Sequence, residues 1–459
     1  MKRIYFFVIV MVTGLGTLFS CKKFIEIDPP KNSLIPATVF KSNDLATSAI
    51  LGIYQQMAAL GFASGDAGSI STICALSADE FIGYQTNLKL VFENQISPEV
   101  SITNDLWTSS YKRIYDANAI LEGLELEGGI TPPVKIQLQG EAYFIRAFNY
   151  FYLVNLYGPV PLHLSTDYQL NSKAVRRPVN EIYDQIIKDL KAAELCLQDN
   201  YASTGRVRPN KATVHALLAR TYLYLGDWAN AEKYSTFILE KNSAYKLVGL
   251  DQIFLSNSLE TIWQLMPAAG TNTPAGAFLI LTGVVPPTFV SLRADFAEQA
   301  FESNDARKPA WVKSILANGT TYYYPFKYKV KSSATVSEYT TVFRLAEQFL
   351  IRSEARARQN NLIAAIDDLD AIRNRAGIPL MKVINPGISK ENLLIAIQKE
   401  RRVELFSEWG DRWLDLKRNG KSTAVLAPIK PNWKPDYVLY PIPYVEISRN
   451  RNITPNSGY

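Results

Sequence analysis

Two stretches of this chain place small residues at matching points of an apolar helical rhythm, and that register constrains the fold more than any other feature. Lys211 to Leu239 carries Ala212, Ala216, Ala219 and Tyr222 at helical spacing, breaks at Gly226-Asp227, and resumes with Ala231, Tyr234 and Ile238. Residues three and four apart share one helix face. Small residues there let a second helix approach closely, and Gly226 permits a tight turn between the two. Phe343 to Ile372 repeats the format at a constant offset, with Ser353 standing where Ala219 does, Asn360 for Gly226, Ala365 for Ala231 and Ile372 for Ile238. Two hairpins in register indicate a helical-repeat scaffold, since such a unit buries its apolar face only against its neighbours.

The rhythm extends beyond this pair, which resembles a tetratricopeptide repeat although the full pattern of that motif is absent. Leu45, Ile50, Ile53, Tyr54 and Met57 lie on one face of a helix that follows Asp44 and ends at Gly61. Trp107, Tyr111, Ile114, Tyr115 and Ile120 form another face, and Phe144, Ala147, Phe148, Phe151 and Val154 a third, stopped by Gly158-Pro159. Asn180 reads as the N-cap of a helix carrying Ile182, Ile186 and Leu190. Between Tyr245 and Thr341 the periodicity weakens while Gly, Pro, Thr and aromatics increase. There, Tyr322, Tyr324, Phe326 and Tyr328 alternate with Tyr323, Pro325 and Lys327, as in a strand or hairpin arm. The expected fold is mostly α: a tetratricopeptide-like helical hairpin scaffold over about 40–250 and 343–420, with an irregular lobe of loops and short strands over about 251–342, all in one domain spanning 37–459.

The first residues read as an address. Lys2 and Arg3 precede the apolar run Ile4 to Val12, and small residues lead up to Cys21. The run is shorter than the roughly 20 residues a membrane helix needs. Leu18-Phe19-Ser20-Cys21 resembles the lipobox of bacterial lipoproteins, so residues 1–20 are expected to be a signal peptide and Cys21 the lipid attachment site. Several acyl chains, each buried CH₂ contributing ~0.8 kcal/mol, make a stable anchor. Residues 21–36, with Pro29, Pro30 and Pro36, suit an extended spacer between lipid and body.

Composition removes several function classes. A formal charge of +6, dispersed along the chain, gives no basic patch for nucleic acid. His163 and His215 are the only histidines, which excludes a histidine-rich metal site, and His215 falls in an apolar helical pattern. Besides Cys21, only Cys74 and Cys196 remain, without metal-ligand spacing, leaving either one disulfide or two buried thiols. No cofactor signature is present. Trp107 and Trp263 sit in periodic apolar contexts, and with Trp311 are expected in the core.

Near the C-terminus, Glu400-Arg401-Arg402, Glu404, Glu408, Asp411-Arg412 and Asp415 concentrate both signs of charge on a helical pattern. Paired carboxylates one turn apart suggest acid–base chemistry, as in a lipid-anchored glycoside hydrolase. Arginines within reach of every one of these acids favour the ionised form instead, which suits structural ion pairs better than a general acid.

The run Glu400 to Leu405, Asp411-Arg412-Trp413-Leu414-Asp415-Leu416-Lys417-Arg418, Leu439-Tyr440-Pro441-Ile442-Pro443 and the ending Asn456-Ser457-Gly458-Tyr459 resembles the SusD/RagB family of Bacteroidetes outer-membrane nutrient-binding lipoproteins. Further matches are Cys21-Lys22-Lys23, Leu156-Tyr157-Gly158-Pro159-Val160-Pro161, Phe343-Arg344-Leu345-Ala346-Glu347 and Ile372-Arg373-Asn374-Arg375-Ala376-Gly377, in the expected order across almost the whole chain. The resemblance implies no catalysis, four tetratricopeptide-like units, and capture of oligosaccharides or, in some members, peptides beside a SusC-like TonB-dependent transporter. It also implies an outer-membrane, surface-facing location. Lys22 and Lys23 depart from the acidic cluster that usually follows the cysteine in surface-exported members.

Sugar rings stack their C–H faces on aromatic side chains while amides and charged groups meet the hydroxyls. Phe81, Tyr84, Gln85 and Asn87, after Asp79-Glu80, combine rings and amides in a segment that breaks helical periodicity. Asn272 and Phe278, in a glycine- and proline-punctuated loop, form the second candidate group. A protein-interaction scaffold without a small ligand is the remaining alternative, since helical repeats often serve as one. Cys21→Ala is expected to leave ligand affinity of the soluble domain unchanged while abolishing capture at the cell surface, as checked by calorimetry on the purified protein and ligand uptake by whole cells.

Overall fold

Successive helices pack side by side because each buries an apolar stripe against the next. In a computed structural model, which describes residues 39–459 apart from 60, 100, 127 and 269, these are α1 (Asn43–Ala59), α2 (Ile70–Ser77), α3 (Ser101–Leu124), α4 (Pro132–Tyr157), α5 (Val179–Cys196), α6 (Lys211–Leu225), α7 (Trp228–Leu239), α8 (Leu345–Arg358), α9 (Leu362–Arg375), α10 (Lys390–Glu404) and α11 (Asp411–Arg418). Helix α3 packs on α4, α4 on α5, α5 on α6, and the series continues through α7, α8 and α9 to α10. The array is the expected mostly α, tetratricopeptide-like scaffold. Cys21, the signal segment 1–20 and the spacer 21–36 lie outside the described residues.

The two hairpins that repeat in the sequence are α6–α7 and α8–α9. Their turns use the left-handed conformation at equivalent points, Gly226 with φ 74° and Asn360 with φ 66°, which glycine and asparagine tolerate best. Ala219, Ser353, Ala231 and Ala365 are all buried at the helix contacts. Ser353 Oγ donates to the Ala365 carbonyl at 2.7 Å, a hydrogen bond that only a small side chain at this crossing allows. Asn210 caps α6 with a reciprocal capping box through Thr213, and Asp227 caps α7 through the Asn230 amide.

Some boundaries differ from the sequence expectation. Phe343 belongs to a strand rather than to α8. Pro178, not Asn180, bounds α5 without a side-chain cap, so Asn180 sits in the first turn; proline's fixed φ suits the entry to a helix, where its missing N–H costs nothing. Among the described residues Cys74 and Cys196 are unpaired; Cys74 is buried, and Cys196 at the end of α5 is only partly so. Trp107, Trp263 and Trp311 are buried as expected, and His215 packs beside Tyr234 with its Nε2 2.9 Å from Glu194.

Between α7 and α8 the chain forms most of the irregular lobe. β4 (Thr261–Leu265) pairs antiparallel with β8 (Thr340–Arg344), delivering Trp263 and Phe343 to the core beside Phe148. A second, four-stranded sheet has the order β1-β5-β7-β6, with β1 (Phe81–Gly83), β5 (Val290–Leu292), β6 (Val312–Ala317) and β7 (Thr320–Pro325). All its pairings are antiparallel. Asn318 and Gly319, both with positive φ, close the β6–β7 hairpin, as a two-residue turn of the primed type requires. The lobe therefore recruits β1 from far upstream, beyond the 251–342 range read from the sequence.

The charged C-terminal motif is interior. Arg344 reaches Glu260 at 3.0 Å, Glu404 at 2.6 Å and Glu408 at 2.7 Å. Arg307 holds Asp305, Glu400 and Glu404, while Arg375 pairs with Glu260 and Glu404. Arg401 and Arg418 share Asp415, and Arg401 also holds Asp411. Burial pushes Glu404 up, but Arg375, Arg344 and Arg307 outweigh it and hold the carboxyl well below its usual range. Glu408 and Asp415 are likewise lowered against the pull of burial. Two acids depart from the uniform lowering expected from their arginine neighbours: burial prevails at Glu400, which is raised, and lifts Asp411 to about 7. Arg344→Met removes one partner from several buried carboxylates and should cost about 3–5 kcal/mol, read from urea unfolding midpoints.

Candidate functional site

Strand alternation sorts the four-stranded sheet into an inner and an outer face. Opposite partners are Phe81 and Leu292, Ile82 and Ser291, Gly83 and Val290. Phe81, Leu292, Gly83 and Val290 point into the core. On the other face come Ile82, Ser291 and, one residue beyond the ladder, Tyr84, whose amide donates to the Phe289 carbonyl at 2.8 Å. Across the sheet, β6 pairs Lys313 with Tyr324 and Ile315 with Tyr322. By the same period of two, Tyr322 and Tyr324 share the outer face.

The rings on that face are held by neighbours yet remain open to solvent. Tyr84 is 37% exposed and Phe289 41% exposed. The Tyr84 hydroxyl lies 2.8 Å from Ser291 Oγ, and its ring meets Tyr322 edge to face with centroids 6.1 Å apart. Phe289 leans on half-buried Phe278 at 5.4 Å. Partial burial raises the Tyr84 phenol above its usual value, the Ser291 contact acting the other way, so the hydroxyl stays neutral at physiological pH. Gln85 and Asn87, exposed at the start of the short helix Thr86–Phe92, make no side-chain hydrogen bond to the described residues. The outer face thus joins fixed π surfaces to free amides.

The structure separates the candidate residues. Tyr84, Gln85 and Asn87 lie together at the rim of the sheet, and Phe278 adjoins them through Phe289. Phe81 is 0% exposed and offers no face to a ligand, because alternation turns it inward. Asn272 is also not part of the outer face of the sheet. Its amide donates to the Ser333 and Thr335 carbonyls and accepts from the Ser337 and Glu338 amides, so it ties two loop segments together. Phe289, exposed beside Tyr84, was not among the candidates. The Tyr322–Tyr328 alternation was the one signal for the tyrosines of β7, but its exposed side followed only from pairing with β6.

Asp79 and Glu80 fix where β1 begins. Asp79 accepts from Arg412 at 2.7 Å and pairs with Arg402 at 2.8 Å; the Glu80 carbonyl accepts from the Arg293 amide at 2.8 Å. Glu80 Oε2 accepts from the Ser407 amide, while Oε1 has no partner. Burial, reinforced by neighbouring Asp79, pushes the Glu80 carboxyl up to about 8.

Glu408 lines two small voids of about 20 and 30 Å³, the smaller shared with Asp411, and each is of a size that holds water rather than a sugar ring.

Comparison with known proteins agrees with this architecture. Residues 23–223 match a family described as starch-binding, associating with the outer membrane, and residues 298–459 match the SusD family. SusD-like protein P2 of Formosa agariphila is 25% identical, over 98% of this chain and 99% of its own length. The starch-binding protein SusD of Bacteroides thetaiotaomicron is 24% identical, over 80% of this chain and 82% of its own. A SusD superfamily protein from Bacteroides vulgatus superposes with TM-score 0.80 at 21% identity, covering 92% of this chain and all of that one. A laminarin-binding SusD-like protein gives 0.76 at 22% identity, again covering 92% and 100%. The chain belongs to the SusD/RagB family. No helix among the described residues is long and apolar enough to cross a membrane.

Glu80 yields a pH test of how β1 is seated. With its folded value raised from 4.5 to about 8, its contribution to stability is fully present below pH 4.5 and is lost as pH rises through 8. Glu80→Gln keeps the neutral form at every pH. Urea unfolding should show the variant gaining on the wild type at pH 8.5, with the gap closing towards pH 4.5.

Proposed function

We propose that this protein is a non-catalytic, cell-surface glycan-binding lipoprotein that captures oligosaccharides on the outer face of the four-stranded sheet and delivers them to a SusC-like TonB-dependent transporter. The observation that carries this reading is the set of solvent-facing rings, Tyr84, Phe289 and Tyr322, beside the unengaged amides of Gln85 and Asn87. Pyranose C–H faces stack on such rings, and amides exchange hydrogen bonds with sugar hydroxyls. The starch- and laminarin-binding names of relatives point to the same ligand class. Lipidation at Cys21 would hold the body beside its transporter and raise its effective concentration there.

Burial of the C-terminal carboxylates supports a binding role over hydrolysis. Glu400 and Glu404 are enclosed by arginines, where a glycosidic bond has no access. The exposed rings also favour a small ligand over a purely protein-docking scaffold. Calorimetry of the mature protein with maltoheptaose, laminarihexaose and a mixed peptide panel tests the reading. Tyr84→Ala and Tyr322→Ala should each weaken oligosaccharide binding by about tenfold, equivalent to about 1.4 kcal/mol, with unchanged unfolding midpoints. Binding confined to the peptides would replace oligosaccharide with peptide as the cargo, and no binding in either class would overturn nutrient capture.

A further inference from the structure

A second aromatic cleft lies away from the sheet, between α3, the loop that follows β2 (Val160–Pro161), and the C-terminal segment. It encloses about 340 Å³, within the range of roughly 300–1,000 Å³ for small-molecule sites. Trp107, Tyr111, Tyr115, His163, Tyr168 and Asn171 line it. Tyr115 is 49% exposed and Tyr168 74% exposed, and neither ring packs on another aromatic side chain among the described residues. Tyr168 is left without a ring or cation partner among the described residues, while Lys112 Nζ sits over the Tyr115 ring, 5.5 Å from its centroid.

Its floor is rigid. Trp107 and Tyr111 lie 4.8 Å apart, and Tyr111 meets His163 at 5.1 Å. The Tyr111 hydroxyl donates to the Pro161 carbonyl at 2.7 Å, and Asn118 of α3 donates to the His163 carbonyl at 3.1 Å. Thr166 is tied to Glu122, and Asp167 caps the single turn Tyr168–Asn171 through the Gln169 and Leu170 amides. These contacts fix both wall and floor before any ligand arrives, which lowers the ordering cost of binding.

One polar atom in this wall is unsatisfied. His163 Nε2 is buried without a hydrogen-bond partner, an unfavourable state for a polar group. Asn171 donates its amide hydrogen to the Ser165 carbonyl at 2.8 Å and leaves its side-chain oxygen unengaged among the described residues. A ligand that presents an apolar face to Tyr168 and a hydroxyl to the Asn171 oxygen meets the groups the cleft leaves open.

We propose that the cleft of Tyr115, Tyr168 and His163 is a second saccharide site, taking one or two sugar rings of the glycan whose other end lies elsewhere or of a separate chain. Burial lowers the imidazole to about 4, opposed by a backbone hydrogen bond with Asn171, so His163 is neutral at physiological pH and adds no charge to the cleft wall. This site rests on the glycan reading of the protein but uses none of the residues of the sheet face.

Because His163 and His215 are the only imidazoles in the chain, nitrogen NMR of the two rings reports on the cleft directly. The mature protein carrying Tyr84→Ala and Tyr322→Ala would be titrated with maltoheptaose and with laminarihexaose. One of them should move the His163 Nε2 resonance while leaving His215 in place. Adding Tyr168→Ala should weaken that binding about tenfold or more, equivalent to about 1.4 kcal/mol, and His163→Gln should leave the fold intact while weakening it less. If the wild type binds these glycans but the sheet-face variant neither binds nor shifts His163, the second site is wrong and the sheet-face reading stands. If the wild type binds neither glycan, both assignments fall.

Discussion

Arg344 makes contact with three carboxylates at once, and the placement of the whole irregular lobe depends on that contact. It leaves the end of β8 and reaches Glu260 ahead of β4, Glu404 at the end of α10, and Glu408 beyond it. Each of these groups has lost its hydration, at a cost of several kcal/mol per ion, and recovers it only if every partner is in position. Arg307 and Arg375 extend the lattice to Asp305 and back to Glu260. Sliding one element would strand a buried charge, so the lobe and the helical array hold a single relative arrangement.

The same lattice reaches the candidate ligand face. Asp79, two residues before the first residue of β1, is clamped by Arg402 of α10 and Arg412 of α11. That clamp sets the start of the strand, alternation then turns Phe81 inward, and Tyr84 emerges at the rim beside Phe289. Charge works in the interior and aromatic surface is displayed outside, the reverse of the usual division. The most conspicuous acids in the chain are therefore positioning elements, and the less conspicuous tyrosines carry the candidate chemistry.

The helical hairpins were legible in the sequence because their determinants are local. Ala219, Ser353, Gly226 and Asn360 specify close packing and left-handed turns through residues a few positions apart, and the structure uses each in that way. The aromatic segment after Asp79-Glu80 was also visible as a departure from helical rhythm. Phe81 and Asn272 could not be assigned from the same signal, since a ring beside amides reads alike whether it faces water or core. Their roles follow from pairing with Leu292 and with the loop carbonyls of Ser333 and Thr335.

What the sequence by itself determined is the helical-repeat class, the family and the ion-pairing role of the charged C-terminal motif. These rest on short-range periodicity and on opposite charges crowded within a few turns. Only the tertiary structure decided which aromatic residues are displayed. The sheet joins β1 to strands some two hundred residues downstream, and a side chain's face is set by the register of that pairing. Long-range pairing has no local signature, so Tyr84, Phe289 and Tyr322 became one surface only when the chain was folded.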